Sequence, residues 1–430
     1  MDTTLRHNLL KQSSLYDERY YRFLSYLLAA YIIVLIFIGR FPNFQQLSIW
    51  LAGPIFAIIV VSNFIKRPVK VPREVLLFGF LWLWTFPGYL SVVDFEGYFR
   101  YFRLVFTILV LFFCIEIVII KAGNIKLLYK VLIVNCILFF AYAIFQGDFF
   151  TATAQGEDVR LYALVNTSNG FAYIGLTGIS GILFLWNEIK SFNQRLLYSF
   201  LLGSFIVMIV LTASRSGFIT MLFLIAFWLM FCYYQNFKKH AAIYIVAIIL
   251  LIPFLYSGYS YLLDETYLGE RLNVTVEKEG GITTESRFLL YEQGFEMFKK
   301  NPLYGVGLSQ FKYYAESKSI AHSEYMEILA TTGLIGFVIM SFFYLTIFRK
   351  IKSIKKVIRS PHILYRLNLS YAILVSILIF GFFRANFLDI LTMVQIAIVA
   401  GYTNYLAHKY KKYLVEKESY KEIKAGNLIP

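Results

Sequence analysis

The sequence predicts an all-α polytopic membrane protein of about twelve transmembrane helices, with one large extracytoplasmic loop that contains an amphipathic helix. Three observations lead there. Hydrophobic residues make up 59% of the 430-residue chain and charged residues only 16%, more apolar surface than a water-soluble fold can hide. The apolar residues come in runs of about twenty, the length needed to cross a hydrocarbon core. Of the 41 Lys and Arg, 28 fall in the set of alternate segments that includes both termini. Thirteen fall in the opposite set, seven of them in one long loop. Short loops rich in Lys and Arg stay cytoplasmic, so both termini are expected inside.

Twelve spans follow in order, roughly 23–40, 47–65, 74–93, 103–120, 127–146, 169–186, 196–213, 217–234, 241–258, 327–348, 364–383 and 387–407. The first begins only at Phe23 and ends in GRFPNF without a small-residue cleavage site, which reads as a retained helix. The chain is then one transmembrane domain over 1–430, with an extracytoplasmic loop at 259–325 and a basic cytoplasmic tail at 409–430. The net charge of +15 sits in membrane-flanking loops, a pattern that points to lipid headgroups rather than nucleic acid. Cys114, Cys136 and Cys232 all lie inside apolar runs and form neither a disulfide framework nor a metal motif.

The long loop has its own order. From Thr284 a helical pattern runs to Lys300, with Glu285 in the first turn, Lys299 and Lys300 in the last, and Pro302 just beyond. Phe288, Tyr291, Phe295 and Phe298 recur at helical spacing, so one face is expected to lie on something apolar. A glycine turn at Gly305 and Gly307 follows, then a polar stretch, then His322. On a straight helix His322 stands about 9 Å above the apolar run of the tenth span. Its imidazole titrates near neutral pH and can accept a hydroxyl proton. An interfacial histidine bonded to Glu324 or to loop backbone is the plainer alternative.

Arg215 is the only charge between Leu196 and Tyr234, which places it in a tight outer turn between two spans. Ser214, Ser216 and Gly217 surround it at a helix start, where backbone N–H groups and a guanidinium together suit a phosphate or diphosphate. A lipid headgroup satisfies the same arrangement. Asn169 opens the sixth span, where helix capping explains it and substrate contact is the sharper reading. Arg287 opens the loop helix, where a cation opposes the local dipole unless an anion lies nearby. Glu285 supplies that anion in one reading and a bound diphosphate in the other. Arg160, in the loop before Asn169, is a candidate of the same type. The nearest acidic pair, Asp94 and Glu96, is followed by Arg100 and Arg103, expected to be its partners, so no metal site is foreseen.

The stretches NTSNGFA (166–172), TASRSG (212–217), NPLYGVG (301–307) and AHSEYMEILATTGLIG (321–336) together resemble the bacterial O-antigen ligase and polymerase family. The likeness covers roughly residues 160–340. Ser323 stands where the family usually has Asn, and Met326 where Leu is common.

The resemblance implies a glycosyltransferase of the bacterial inner membrane that moves a glycan from undecaprenyl diphosphate to an acceptor glycan or glycolipid. His322 and Arg215 are then the catalytic residues. Arg287, Arg160 and Asn169 bind the diphosphate or glycan, with no metal or cofactor. The expected activity is polymerisation of surface-polysaccharide repeat units, and ligation to lipid A core is the alternative. A transporter of the same lipid-linked glycans is the rival from another class. Such a protein carries buried ionisable groups along its path, and here only Glu116 lies clearly inside a span, with Lys121 expected to neutralise it.

Overall fold

The computed structural model describes residues 3–65, 68–148, 163–165, 167–230, 284–316 and 318–424. Side chains are described from residue 19 to 410 within those stretches, apart from 163 and 284–287. Among the described residues every regular element is helical and there is no strand. The helices are α1 (Thr3–Ile36), α2 (Gln45–Ile65), α3 (Arg73–Trp84), α4 (Phe95–Ala122), α5 (Ile125–Phe145), α6 (Ser168–Leu185) and α7 (Phe192–Leu211). They continue with α8 (Arg215–Met230) and α9 (Thr284–Lys300). After these come α10 (Phe311–Tyr314), α11 (Glu324–Val357), α12 (Pro361–Gly381) and α13 (Ile390–Lys424). Among the described residues, nine of these are long and apolar enough to cross a membrane. The ninth predicted span, 241–258, lies outside the described residues.

Local chemistry explains most boundaries. α4 starts well before the predicted span because Asp94 caps it, accepting the Gly97 N–H at 2.9 Å, and it stops at Gly123, which is left-handed at φ 65°. α3 is shorter than predicted. Its continuation becomes a 3₁₀ segment, Phe86–Ser91, because Pro87 restricts the residue before it. α6 is the central helix, with every residue from Gly170 to Leu185 buried. Its glycines allow that closeness: a Cβ on Gly178 would lie 2.7 Å from Cys136 Sγ of α5, and one on Gly175 2.7 Å from Ile209 of α7.

The decisive departure from a simple bundle is in α11. Gly333 (φ 69°, ψ −170°) breaks that helix, and the NPLYGVG segment repairs the broken backbone. Leu334 N–H donates to Pro302 O at 2.8 Å, Val306 N–H to Ala330 O at 2.9 Å and Gly307 N–H to Thr331 O at 3.0 Å. The Trp84 indole donates to Thr332 O at 3.1 Å. A helix interrupted in or near a membrane needs such substitutes for its lost ladder. The two halves fold back on each other, because Tyr344 Oη donates to Glu324 Oε1 at 2.9 Å although 20 residues separate them. A straight helix would hold them about 30 Å apart. The straight-helix height of 9 Å expected for His322 therefore does not apply.

The same segment is clamped to the turn after α3. Gln310 Oε1 accepts from Val93 and Asp94 N–H, both at 2.9 Å, and Tyr313 Oη donates to Asp94 Oδ2 at 2.6 Å. These bonds, the Tyr313 hydroxyl first and the Gly97 amide next, hold the Asp94 carboxyl below its ordinary range. Asp94 thus binds the loop, not the arginines expected to pair with it. Arg103 Nε donates to Phe99 O, and Arg100 lies over the Tyr101 ring.

α9 packs on the loop through a second face. Leu290, Gly294 and Met297 lie against Phe311, Ala321, Met326 and Ala330. The aromatic stripe faces outward, with Phe288 66% and Phe295 46% exposed. Tyr291 ties the stripe down, donating to Phe382 O just past the end of α12.

Gly333→Ala should destabilise the protein by at least about 1–3 kcal/mol, because its backbone region is nearly glycine-only. The new Cβ would also stand 2.3 Å from the Leu303 carbonyl carbon. Gly53→Ala in α2, with nothing within 4 Å of the added Cβ, is the control and should be neutral or stabilising by up to about 1 kcal/mol. Thermal unfolding of the purified protein in detergent compares the two.

Candidate functional site

One end of the bundle collects the motifs. α7 ends at Leu211, and the chain turns through Thr212 and Ala213, the latter left-handed at φ 48°. Ser214 then caps α8, accepting the Gly217 N–H at 3.1 Å. Arg215 is the first residue of α8, half-buried. Among the described residues its guanidinium has neither a hydrogen bond nor an ion pair. Ser214 Oγ donates to Asn169 Oδ1 at 2.7 Å, and Ser216 Oγ to the same oxygen at 3.4 Å. The starts of α6 and α8 are thereby joined, with two helix N-termini and one guanidinium side by side. Such a cradle has positive potential without a metal.

Asn169 is not the cap of α6. Thr167 takes that role, accepting the Gly170 N–H at 3.2 Å, which leaves Asn169 to reach across to α8. A Cβ on Gly217 would meet Ala172 Cβ at 2.5 Å, so the helix starts touch closely.

His322 is half-buried in a strained left-handed conformation, φ 50°, immediately before α11. Its Nε2 lies 3.3 Å from Ser319 Oγ. Glu327 Oε2 accepts the Ala321 N–H at 3.2 Å and so fixes the residue before it. Glu324 is not the imidazole's partner. It turns inward to Tyr344 and towards Gly381 and Asn386 at the end of α12.

Between these two groups lie residues whose role the sequence did not reveal. Arg384 Nη2 bonds Asp389 Oδ1 at 2.6 Å, and its guanidinium lies 5.8 Å from the centre of the Tyr173 ring. Burial alone would raise the Asp389 carboxyl, but Arg384 and Thr392 outweigh it and hold it below its ordinary range. Tyr173 Oη donates to Gln395 Oε1 at 2.7 Å. Tyr173, Thr220, Ser376 and Gln395 edge a small cavity one helical turn below Asn169 and Arg215. Glu324 and Glu327 were visible as acids beside His322, but their directions depend on the break at Gly333.

Arg287 lies in the first turn of α9, and its side chain is outside the described residues. Arg160 is outside them altogether. Among the described residues no three His, Cys, Asp or Glu converge to hold a metal ion.

The fold is that of a polytopic helical membrane protein with two helix N-termini, a guanidinium and a histidine gathered at one end of its bundle. Residues 199–341 match the family model of O-antigen ligase, so the resemblance read from the motifs is borne out over that region. The matched region contains Arg215, Arg287 and His322. It supports a membrane enzyme that transfers glycans. No curated protein matches the chain.

The Asn169–Ser214 link is testable by a double-mutant cycle. Asn169→Ala and Ser214→Ala should each cost about 0.5–2 kcal/mol, through a lost hydrogen bond and, for Ser214, a lost cap. Because they share one bond, the double variant should cost less than the two losses added, with a coupling of about 0.5–1.5 kcal/mol. Additive losses in thermal unfolding would mean that the motifs do not touch.

Proposed function

We propose that this protein transfers a glycan from undecaprenyl diphosphate to a sugar hydroxyl on the extracytoplasmic face of the bacterial inner membrane, both termini being cytoplasmic. The observation that carries this is Arg215, unpaired among the described residues, at the N-terminus of α8 and at the same end of the bundle as the strained His322. The leaving diphosphate develops charge as the glycosidic bond breaks. Fixed N–H dipoles and a guanidinium stabilise that charge without reorganising. Arg287 and Arg160 add positive charge on the donor side. Asn169 sets the Ser214 turn and so aims Arg215.

His322 accepts the proton of the acceptor hydroxyl as its oxygen attacks the anomeric carbon, and the diphosphate leaves on its carrier. The His322 ring lies beside Ser319, with Nε2 3.3 Å from the Ser319 hydroxyl. Arginines take the place a divalent cation has in other carrier-dependent transferases.

Within this reading the acceptor is another carrier-linked repeat unit, making the protein a surface-polysaccharide polymerase. Ligation to a lipid A core uses the same chemistry with a different acceptor. Deleting the protein separates them: the polymerase reading expects single repeat units left on the final acceptor, whereas acceptor with no glycan would show a ligase.

Arg215→Ala should abolish transfer while leaving the amount of protein in the membrane unchanged. Arg215→Lys should recover only part, because a point charge cannot grip two oxygens at once. His322→Ala should lower the rate by about 10²–10⁴, the usual contribution of a positioned base, and His322→Gln nearly as much. Transfer by the purified protein in lipid vesicles with excess EDTA should continue. Normal turnover in the glutamine variant would remove the base, and magnesium-restored activity would remove the metal-free mechanism.

A further inference from the structure

At the opposite end of the bundle, four helices enclose a cluster that the glycan-transfer reading does not use. Glu74 of α3 and Glu116 of α4 are both fully buried, and Lys350 of α11 and Asn404 of α13 reach them. Lys350 Nζ donates to Glu74 Oε1 at 2.7 Å, to Glu74 Oε2 at 2.5 Å and to Asn404 Oδ1 at 2.7 Å. Asn404 Nδ2 donates to Glu74 Oε1 at 2.6 Å. An ammonium has three N–H donors, so those of Lys350 are all used, and Glu74 is fully compensated.

Glu116 has no such support. It faces Glu74 and Asn404, yet as a carboxylate neither of its oxygens would accept a hydrogen bond from a described donor. Lys121, expected from the sequence to neutralise it, instead lies over the Tyr21 ring at 5.4 Å. On the α13 side Glu116 meets Gly401, which brings no charge. Further along α4, Cys114 faces Tyr31 of α1, and neither carries a cation. Two ionised carboxylates and one ammonium would leave a net negative charge buried among apolar side chains, which low dielectric strongly disfavours.

We propose that Glu116 is a proton-binding site, a neutral carboxylic acid that gives its hydrogen to Glu74 across the interface of α3 and α4. A metal cation is the poorer occupant, because the Lys350 ammonium already holds the carboxylate such an ion would share. Lys350, its side chain 24% exposed, links the site to the bundle surface. The same helix, α11, begins beside His322, so the site anchors its far half. This inference does not rest on the glycan-transfer reading.

Infrared spectroscopy of the full-length protein in lipid vesicles tests it. A carbonyl stretch of a protonated carboxylic acid is expected in the wild type and should be lost in Glu116→Gln. A spectrum without that band, or a band unchanged in the variant, overturns the proposal. Thermal unfolding gives a second readout. Glu116→Gln, neutral and of equal shape, should melt with the wild type, while Glu74→Gln strands the Lys350 ammonium and should melt lower. If Glu116→Gln loses as much as Glu74→Gln, or fails to accumulate, Glu116 is a charged partner and the proposal is wrong. Melting should be the same in sodium and in choline buffers, and a sodium-dependent rise would replace the proton by a metal cation.

Discussion

Much of the architecture at the motif end depends on one constraint, the repair of α11 where Gly333 breaks it. A helix that turns back on itself at a membrane surface exposes carbonyl and amide groups that lipid cannot satisfy. The NPLYGVG segment and the Trp84 indole satisfy four of them. That requires backbone-to-backbone approach, which is why Gly305 and Gly333 have no room for a Cβ. Once the loop is held there, Gln310 and Tyr313 reach the turn before α4, and α9 is carried onto the end of α12. The position of His322, just ahead of α11, follows from this framework.

A second dependence runs through the starts of α6 and α8. Each is capped by its own hydroxyl residue, Thr167 and Ser214. Capping of α6 by Thr167 releases Asn169 for a longer reach, and its single oxygen gathers two serines from the neighbouring helix. The outcome is two helix N-termini beside a guanidinium that has no partner among the described residues. Local capping preferences and one cross-helix amide thus build a cradle whose electrostatics suit a diphosphate.

The two ends of the bundle handle charge in opposite ways. At the motif end Arg215 has no anionic partner among the described residues, whereas Arg384 is tied to Asp389 and lies over the Tyr173 ring. At the other end Lys350 and Glu74 saturate each other, and Glu188 holds Lys126 and Arg366 together. A charge is therefore left unpaired where an anionic ligand is proposed and compensated where none is, Glu116 being neutral on the reading above.

The sequence alone determined the helical class, most of the spans, the order of the motifs and the residue types able to handle a diphosphate and a proton. These are properties of composition and of local period, and hydropathy reads them directly. Tertiary structure decided the rest. Asn169 was read as a cap because capping is local, but Thr167 caps the helix and the bond from Asn169 to Ser214 spans 45 residues. The helix through His322 looked straight because Gly333 is one glycine in an apolar run. Only the loop packed against it shows that the run is broken. Glu116 was legible as a buried acid, yet its neighbours Glu74 and Asn404 come from α3 and α13. Pairings of that kind arise from helix packing, which no spacing along a single helix encodes.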